Sequence, residues 1–340
     1  MQNILLTGAT GYIASHTWVE LLNAGYNSIA GIDNFSNSSP EVLNRIAKIS
    51  GKNITFHKGD MCDKEFLLSM INKYNIHSII HFAAHKAVGE SVAQPLKYYQ
   101  NNITGLLNLI ECALTANNPV QNFVFSSSAT VYGQPKSLPI KENSELYAAN
   151  PYGQTKLMAE RILLDTAHAN PNFKIAILRY FNPAGAHESG LIGEAPNGVP
   201  NNIMPYITQV AVGIREYLNI FGNDYNTIDG TGVRDYIHVA DLAHGHLKAL
   251  EYLYKNNESL TVNVGTGSGY SVLELVKSFE KASGLNIKYQ ISPRRAGDIE
   301  SCYADVNLAY KLMGWKAKYN LDDMCLHAWN WQKNNPNGYN

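Results

Sequence analysis

The residues best suited to chemistry are a tyrosine and a lysine at helical spacing. Asn150 and Pro151 favour the start of a helix, so Tyr152 and Lys156 should project from one face of it. A free tyrosine has a pKa of about 10 and is a poor base at neutral pH, but a nearby ammonium lowers that pKa. Because this spacing is common, a surface tyrosine and lysine are the simpler alternative.

A serine-rich run, residues 126–133, lies close to that helix in the chain. It follows the fifth apolar segment that is typical of a strand. A hydroxyl about 24 residues before the tyrosine could share a proton with it. The position of this run makes a chance YxxxK pattern less plausible.

A glycine-rich segment near the N-terminus predicts a dinucleotide-binding turn. Gly8 and Gly11 follow the first apolar run in the pattern GxxGxxA. Gly8 permits a tight turn, and Gly11 lets a pyrophosphate approach a helix N-terminus. Asp33, 22 residues after Gly11, could bind an adenosine ribose and would repel a 2′-phosphate, which favours NAD over NADP. An ordinary strand–helix turn is the alternative.

The elements that must position these residues alternate along the first half of the chain. Strands are predicted at residues 4–7, 28–33, 54–58, 78–83, 122–127 and 174–180, and helices at 13–24, 40–49, 64–74, 95–116 and 151–168. Continuous apolar strands occur when helices cover both faces of a sheet. We therefore predict an α/β fold with a doubly wound, Rossmann-like parallel sheet in residues 1–181.

Residues 182–340 should form a smaller α/β domain that binds the substrate. Gly, Pro and Asn crowd residues 182–202, which predicts a loop, and helices are expected at 241–254 and 273–282. This half has no simple periodic pattern, so the order and packing of its strands and helices are not predicted.

Composition and cysteine spacing exclude several classes of protein. Lys and Arg number 27 against 28 Asp and Glu, which gives no electrostatic case for a nucleic-acid or membrane partner. Four dispersed cysteines without a CxxC pair argue against a zinc site and a disulfide framework. His81 and His85 have a spacing seen in metal sites but lack a third ligand, so no metal is expected. Without a signal peptide or apolar span, a cytoplasmic location is expected.

Together these segments resemble the extended short-chain dehydrogenase/reductase superfamily and, within it, the UDP-galactose (UDP-glucose) 4-epimerase family. The resemblance covers essentially the whole chain. It also includes residues 81–91, 178–183, 201–205, 220–225, 229–239 and 294–298. Ala14 stands where the family commonly has glycine.

The resemblance implies NAD as the cofactor and UDP-hexoses as substrates. Tyr152 would be the base, Lys156 would hold the nicotinamide ribose and tune the tyrosine, and Ser128 would bridge the proton to the sugar 4-hydroxyl. The implied cofactor site comprises Gly8, Gly11, Tyr12, Ile13, Asp33, Asn34, Phe35, Ser36, Asn37, Ser38, Asp60, Met61, Phe82, Ala83, Ala84, Lys86, Asn101, Ser128, Tyr152, Lys156 and Phe181. The implied substrate site comprises Lys86, Ser128, Tyr152, Asn182, Asn201, Asn202, Phe221, Arg234, Tyr236, Arg295, Asp298 and Cys302.

The implied reaction inverts carbon 4 by transient oxidation to a 4-keto sugar, rotation of that sugar and re-reduction. A sugar-nucleotide dehydratase or decarboxylase of the same superfamily is the alternative enzyme, and a non-catalytic NAD-sensing protein is another. A dehydratase commonly carries Asp-Glu after the strand-five hydroxyl, where this chain has Ala129 and Thr130. Cys302 lies where family members carry tyrosine or a smaller residue, which predicts activity on UDP-GlcNAc and UDP-GalNAc as well; a packing cysteine is the alternative.

Apolar stripes on two predicted helices raise the question of a homodimer. The stripes consist of Leu106, Leu109, Ile110, Ala113, Met158, Ile162 and Leu163. In the family such helices form a four-helix dimer interface, so a homodimer is expected. Ordinary packing onto the sheet is equally compatible with the pattern.

Overall fold

The computed structural model describes residues 2–295 and 298–340. Its strands are β1 (Ile4–Thr7), β2 (Ile29–Asp33), β3 (Thr55–Lys58), β4 (Ser78–His81), β5 (Asn122–Ser126), β6 (Lys174–Tyr180), β7 (Asn182–Ala184), β8 (Leu218–Phe221), β9 (Val233–Arg234), β10 (Tyr236–His238), β11 (Leu260–Val264), β12 (Tyr270–Ser271), β13 (Tyr289–Ser292) and β14 (Ser301–Cys302). Its α-helices are α1 (Tyr12–Asn23), α2 (Glu41–Ser50), α3 (Lys64–Lys73), α4 (Val88–Ala93), α5 (Pro95–Tyr99), α6 (Gly105–Thr115), α7 (Pro151–Ala169), α8 (Ile203–Ala211), α9 (Val239–Asn256), α10 (Val272–Ser283), α11 (Asn307–Met313) and α12 (Leu321–Asn334).

The largest sheet in the described residues has seven parallel strands in the order β11-β6-β5-β4-β1-β2-β3. Leu5 of β1 lies in register with Ala30 of β2 and with Ile79 of β4. Strands β1, β2, β4 and β5 are buried throughout, as the continuous apolar runs predict. The strand order reverses between β1 and β4, where open α/β sheets bind ligands. The predicted doubly wound α/β fold is confirmed.

Hydrophobic layers cover both faces of the sheet. On one face α1 packs against α9, and Trp18 is buried against β2. A Cβ atom at Gly31 would come within 2.3 Å of the Trp18 ring, so only glycine fits there. On the other face α3 and α6 pack together around Leu67 and Leu109. Burial of these layers stabilises the sheet that carries the site.

The predicted helix at residues 95–116 is confirmed, with a local change in its hydrogen bonding that the sequence does not indicate. The segment is divided into α5, a π-helical turn at Gln100–Thr104, and α6. Asn102 lies in that turn and is buried, where its Nδ2 donates to the backbone oxygen of His85 and to Oγ1 of Thr155, both at 3.0 Å. A π-turn changes which side chains face inward, and periodicity alone does not reveal it. The predicted strand at 78–83 also ends earlier, at His81.

The second half of the chain returns to the large sheet. Strand β11 pairs with β6, and α9 packs against α1, although both follow residue 182. The predicted domain boundary between residues 181 and 182 therefore stays a prediction. It would assign residues 239–264 to the second domain, although they pack on the large sheet of the first. A further apolar core lies among α8, α10 and α12.

No helix in the described part of the chain is long and apolar enough to cross a membrane. The cytoplasmic location and the absence of a nucleic-acid partner stay predictions.

Candidate active site

A cleft lies at the carboxyl ends of the strands, next to the β1–β4 reversal. It brings together most of the predicted cofactor residues. Those that line it are Gly8, Gly11, Tyr12, Ile13, Asp33, Asn34, Ser36, Asn37, Ser38, Asp60, Met61, Phe82, Ala83, Ala84, Lys86, Asn101, Tyr152 and Lys156. Phe35, Ser128 and Phe181 lie outside the described lining.

The turn between β1 and α1 depends on glycine. Gly8 has a φ of +64°, and a Cβ atom there would lie 2.8 Å from the backbone nitrogen of Ala83. Gly11 caps α1, whose first turn contains no acidic residue within the described helix. The backbone N–H groups at such a helix start attract anions, so this wall of the cleft suits a phosphate.

Asp33 is fixed at the end of β2 by three hydrogen bonds. Its Oδ2 accepts from the backbone nitrogen of Thr10 at 3.2 Å, and its Oδ1 accepts from the backbone of Phe35 and the hydroxyl of Ser38 at 2.8 and 3.1 Å. Phe35 itself packs on Phe56, with ring centroids 5.1 Å apart. Phe35 therefore shapes the loop by its backbone while its ring packs away from the cleft.

A second acidic residue lies on the same side of the cleft. Asp60 accepts a hydrogen bond from Nδ2 of Asn34 at 2.8 Å and another from the backbone nitrogen of Cys62 at 2.8 Å. These hydrogen bonds lower the pKa of Asp60, the bond from Cys62 having the larger effect. The carboxylate is therefore ionised at neutral pH and can accept from a ligand hydroxyl or amine.

The helix that carries Tyr152 and Lys156 begins as the sequence predicts. The side chain of Asn150 accepts a hydrogen bond from the backbone nitrogen of Gly153 at 2.9 Å, and Pro151 occupies the first turn. Both Tyr152 and Lys156 are 5% exposed and line the cleft. Their common orientation is therefore a property of a well-capped helix.

Burial sets the protonation of the lysine. Nζ of Lys156 donates to the backbone oxygen of Ser126 at 2.7 Å and lies 4.8 Å above the Phe125 ring. Burial lowers the pKa of Lys156 to about 8, against an opposing effect of the Glu160 carboxylate. The ammonium is still the main form at pH 7.

Burial has the opposite effect on the tyrosine. It raises the pKa of Tyr152 well above 10, and the neighbouring Tyr180 raises it further. A hydrogen bond with Ser128 and the charge of Lys86 lower it. Tyr152 is therefore a phenol in this environment, and further positive charge is needed before it can act as a base.

Ser128 forms a hydrogen bond with Tyr152 and lies outside the described lining of the cleft. Its Oγ accepts from the backbone nitrogen and the hydroxyl of Thr130 at 3.2 and 3.0 Å, at the start of a 3₁₀ helix, Ala129–Tyr132. A hydroxyl that accepts two such bonds still has its own proton to donate. Ser128 is thus placed to pass a proton to or from Tyr152.

Apart from Lys86, Ser128 and Tyr152, the predicted substrate residues lie in the second half of the chain, outside the described lining of this cleft. Arg295 and Asp298 form an ion pair at 2.9 Å, and the Arg295 guanidinium lies 4.6 Å above the Phe221 ring. Arg234 of β9 is in register with Cys302 of β14. These two groups have the arginines that a diphosphate requires.

The remaining predicted substrate residues are less closely grouped. Asn182 is exposed at the start of β7, beside the buried Tyr236 of β10 with which it is in register. Asn201 is exposed in the loop before α8. Asn202 donates to Oε1 of Glu194 at 2.7 Å. Phe181 is buried in an apolar cluster with Val131, Tyr132, Ile140, Cys302 and Ala304, so its ring packs inside the protein.

Several cleft residues are not among the predicted site residues. They are Thr10, Ala14, Ile32, Gly59, His85, Ser126, Tyr180, Gly193, Glu194, Ala195, Pro196 and Tyr339. Glu194 accepts from Nζ of Lys86 at 3.0 Å, and Tyr339 donates its hydroxyl proton to the backbone oxygen of Gly193 at 3.0 Å. Glu194 lies in a segment predicted only as loop and Tyr339 near the C-terminus, without a local motif to signal either.

The histidines near the cleft have structural partners. Nδ1 of His81 lies 2.7 Å from Oγ1 of Thr7, and its ring stacks on Phe125. In the part of the chain that the structure describes, no three His, Cys, Asp or Glu side chains are grouped to hold a metal ion. His81 therefore belongs to the core of the sheet.

Comparisons with known proteins show which family the chain resembles. The family model described as GDP-mannose 4,6 dehydratase matches residues 5–327. The chain is 56% identical to the UDP-glucose 4-epimerase of Bacillus subtilis over 99% of its own length and 98% of that protein. It is 54% identical to the UDP-glucose 4-epimerase of Dictyostelium discoideum, covering 99% of this chain and 97% of that one.

Solved structures give the same result. The UDP-glucose 4-epimerase of Bifidobacterium longum in complex with NAD⁺ and UDP superposes with a TM-score of 0.95 at 50% identity, covering 99% of this chain and 100% of that one. The UDP-Glc/GlcNAc 4-epimerase of Campylobacter jejuni superposes with a TM-score of 0.85 at 39% identity, covering 98% and 100%.

Proposed function

Because this chain belongs to the UDP-glucose 4-epimerase family, we propose that it inverts carbon 4 of UDP-hexoses and so interconverts UDP-glucose and UDP-galactose with NAD. The observation that supports this proposal most strongly is the 56% sequence identity to an epimerase over 98% of that protein's length. In this chain Tyr152 and Lys156 also line the same cleft. Epimerases of this kind are isomerases, so substrate and product have the same composition.

The residues present fit a dinucleotide. The start of α1, where Gly11 provides no side-chain hydrogen bond, suits the pyrophosphate, and the fixed carboxylate of Asp33 suits the adenosine ribose. Among the described residues, the buried Oε2 of Glu194 has no hydrogen-bond partner, which leaves an acceptor in the cleft for a ligand. NAD, when bound, supplies an acceptor for the hydrogen of carbon 4 and a positive charge that favours the phenolate of Tyr152.

We infer that Tyr152 and Ser128 move the proton of the sugar 4-hydroxyl. Their hydrogen bond connects the phenol to a second hydroxyl, which we propose receives the proton of the substrate oxygen and passes it to the phenolate. Lys86 and Lys156 are the cations that line the cleft near them. The proton returns along the same path, so that no net base is consumed.

The UDP half is proposed to be held by the second half of the chain. Arginine binds phosphate oxygens in forked geometry, which suits Arg234 and Arg295, and Phe221 beside Arg295 offers a flat apolar surface. Tight contacts on UDP with few on the sugar would let the transient 4-keto sugar rotate and present its other face. Asn182 and Asp298 are proposed to complete the nucleotide contacts.

The sequence after Ser128 favours epimerisation over elimination. Ala129 and Thr130 stand where a dehydratase commonly has an acidic pair, and the hydroxyl of Thr130 already donates to Ser128 at 3.0 Å. A 4,6-elimination needs an acid and a base at this place. The name of the matching family model therefore describes other members better than this chain.

A product assay on the protein as purified tests the function. UDP-glucose, UDP-galactose, UDP-GlcNAc and UDP-GalNAc are each incubated without added NAD, and the products are separated. We expect the 4-epimer from at least the first two. A 4-keto-6-deoxy sugar would instead identify a dehydratase, and no product together with bound NAD would favour a non-catalytic protein.

We propose that the N-acetylated pair is also accepted. Cys302 is small, it is buried in a cluster with Tyr132 and Phe181, and it is in register with Arg234. Burial raises the pKa of the Cys302 thiol to about 11, so it stays uncharged and apolar. A small neutral side chain leaves room for a 2-N-acetyl group on a rotating sugar.

We propose a homodimer through a surface that includes Met158 of the sequence stripes but otherwise differs from them. Leu106, Leu109, Ile110, Ala113 and Leu163 are buried inside this chain and cannot reach a partner. The exposed apolar side chains on the same helices and their neighbours α4 and α5 are Val88, Val92, Leu96, Leu107, Met158 and Leu164. A second copy that covered them would remove this apolar surface from water.

A further inference from the structure

Glu160 and Arg179 form a buried ion pair behind the reactive side chains. Glu160 lies one helical turn beyond Lys156 on α7 and is 1% exposed. Nη2 of Arg179 lies 2.7 Å from Oε2 of Glu160, and its Nε donates to both carboxylate oxygens at 3.1 Å. A buried ion pair often stabilises a fold no better than apolar residues of the same size. Stability alone is therefore a weak reason for this pair.

The carboxylate is connected to the reaction site through one serine. The Ser127 hydroxyl donates a short hydrogen bond to Oε1 of Glu160. On one side of Ser127 lies Ser126, whose backbone oxygen accepts from Nζ of Lys156 at 2.7 Å. On the other side lies Ser128, the proposed proton carrier. Glu160 therefore fixes the middle residue of the segment that contacts both reactive groups.

The charge of Glu160 also acts on Lys156. Among the described residues, His81 of β4 and His246 of α9 are titratable groups that interact with Lys156 from neighbouring elements, and burial lowers their pKa values to about 3 and about 4. Both are therefore neutral at pH 7. The carboxylate of Glu160, with Arg179 on its far side, raises the pKa of Lys156 against the effect of burial.

We propose that Glu160, held by Arg179, is a positioning residue for the inversion of carbon 4, which it serves by fixing residues 126–128, the segment that contacts Tyr152 and Lys156. The inference rests on the proposed function, because it concerns the groups assigned to that reaction. Glu160 acts through Ser127 and Lys156 and does not itself line the cleft.

A double variant separates this role from a purely structural one. Glu160→Gln alone leaves the Arg179 charge unpaired in the core, so lost activity could follow from lost folding. Glu160→Met combined with Arg179→Met replaces both charges by apolar side chains of similar length. We expect its melting temperature to stay within a few degrees of the wild type, which circular dichroism can measure.

The pH profile of kcat is the decisive readout. The reaction needs Lys156 as the ammonium, so activity falls as the pH rises through its pKa. Without the Glu160 carboxylate that pKa is lower, and the basic limb of the profile should move to lower pH, with kcat at pH 8 reduced about tenfold. NMR of ¹³C-labelled lysines, with Lys156 assigned from the Lys156→Met spectrum, should show it titrating at lower pH.

Glu142→Gln is the matched control. The backbone oxygen of Glu142 accepts from Nη1 of Arg179 at 2.9 Å, and its carboxylate accepts from the backbone of Asn263 at 2.8 Å. The variant removes a carboxylate charge that acts on Arg179 and leaves the hydrogen bond to Arg179 in place. Its profile should match the wild type. A stable double variant with an unchanged basic limb and unchanged Lys156 titration overturns the inference alone. Absence of any epimer from the wild type overturns the proposed function first.

Discussion

Nζ of Lys156 donates a hydrogen bond of 2.7 Å to the backbone oxygen of Ser126, at the carboxyl end of β5. This bond joins the helix of the YxxxK pattern to the strand that precedes the serine run. It places the ammonium one helical turn from Tyr152, between α7 and the sheet.

Tyr152→Phe removes the proposed base while keeping the ring. We expect kcat to fall by about 10³-fold, because proton transfer by a positioned group contributes that order of rate. Bound NAD, measured spectrophotometrically after denaturation, should be unchanged. Tyr180→Phe is the control, since Tyr180 is the neighbouring phenol in the same cleft. This variant should lose much less of its kcat. Near-normal turnover by Tyr152→Phe would mean that another residue is the base.

The pH dependence of the wild type should reflect Lys156. Because burial lowers the pKa of this ammonium to about 8, kcat should decline as the pH rises through about 8. Initial rates with UDP-galactose between pH 6 and 10 measure this limb. Rates that stay constant to pH 10 would show that the ammonium is not required.

Cys302→Tyr should change substrate preference. The tyrosine ring fills the space that we assign to a 2-N-acetyl group, so rates with UDP-GlcNAc and UDP-GalNAc should fall at least about tenfold relative to the plain sugars. Cys302→Ala keeps the space open and should retain both activities. Equal losses on both substrate pairs for Cys302→Tyr would count against a gate at this position.

The homodimer can be tested on its proposed apolar face. Light scattering should give the wild type a mass of about twice 37.6 kDa. Leu96, 72% exposed on α5, is the test position, and Leu96→Lys should shift the protein towards a monomer. Ile228→Lys changes an apolar residue that is 88% exposed elsewhere and should remain dimeric. A monomeric wild type would refute the assembly.

Local patterns anticipated much of the fold because they act over a few residues. The continuous apolar runs predicted β1 to β6, and Asn150 with Pro151 predicted the start of α7. Strand β11 was not predicted, because it pairs with β6 only after about 80 intervening residues have folded and brought it back to the large sheet. The π-turn was also missed, since its buried Asn102 bonds residues distant in sequence.

By itself, the sequence determined which groups could do chemistry and on which kind of fold, because strand periodicity, helix capping and i,i+4 spacing are local properties. Only the tertiary structure decided that Tyr152 is held as a phenol and that Lys156 titrates near pH 8, because desolvation depends on what packs around each group. It also decided that Glu194 and Tyr339 reach the cleft, because contacts between distant segments exist only once the chain has folded.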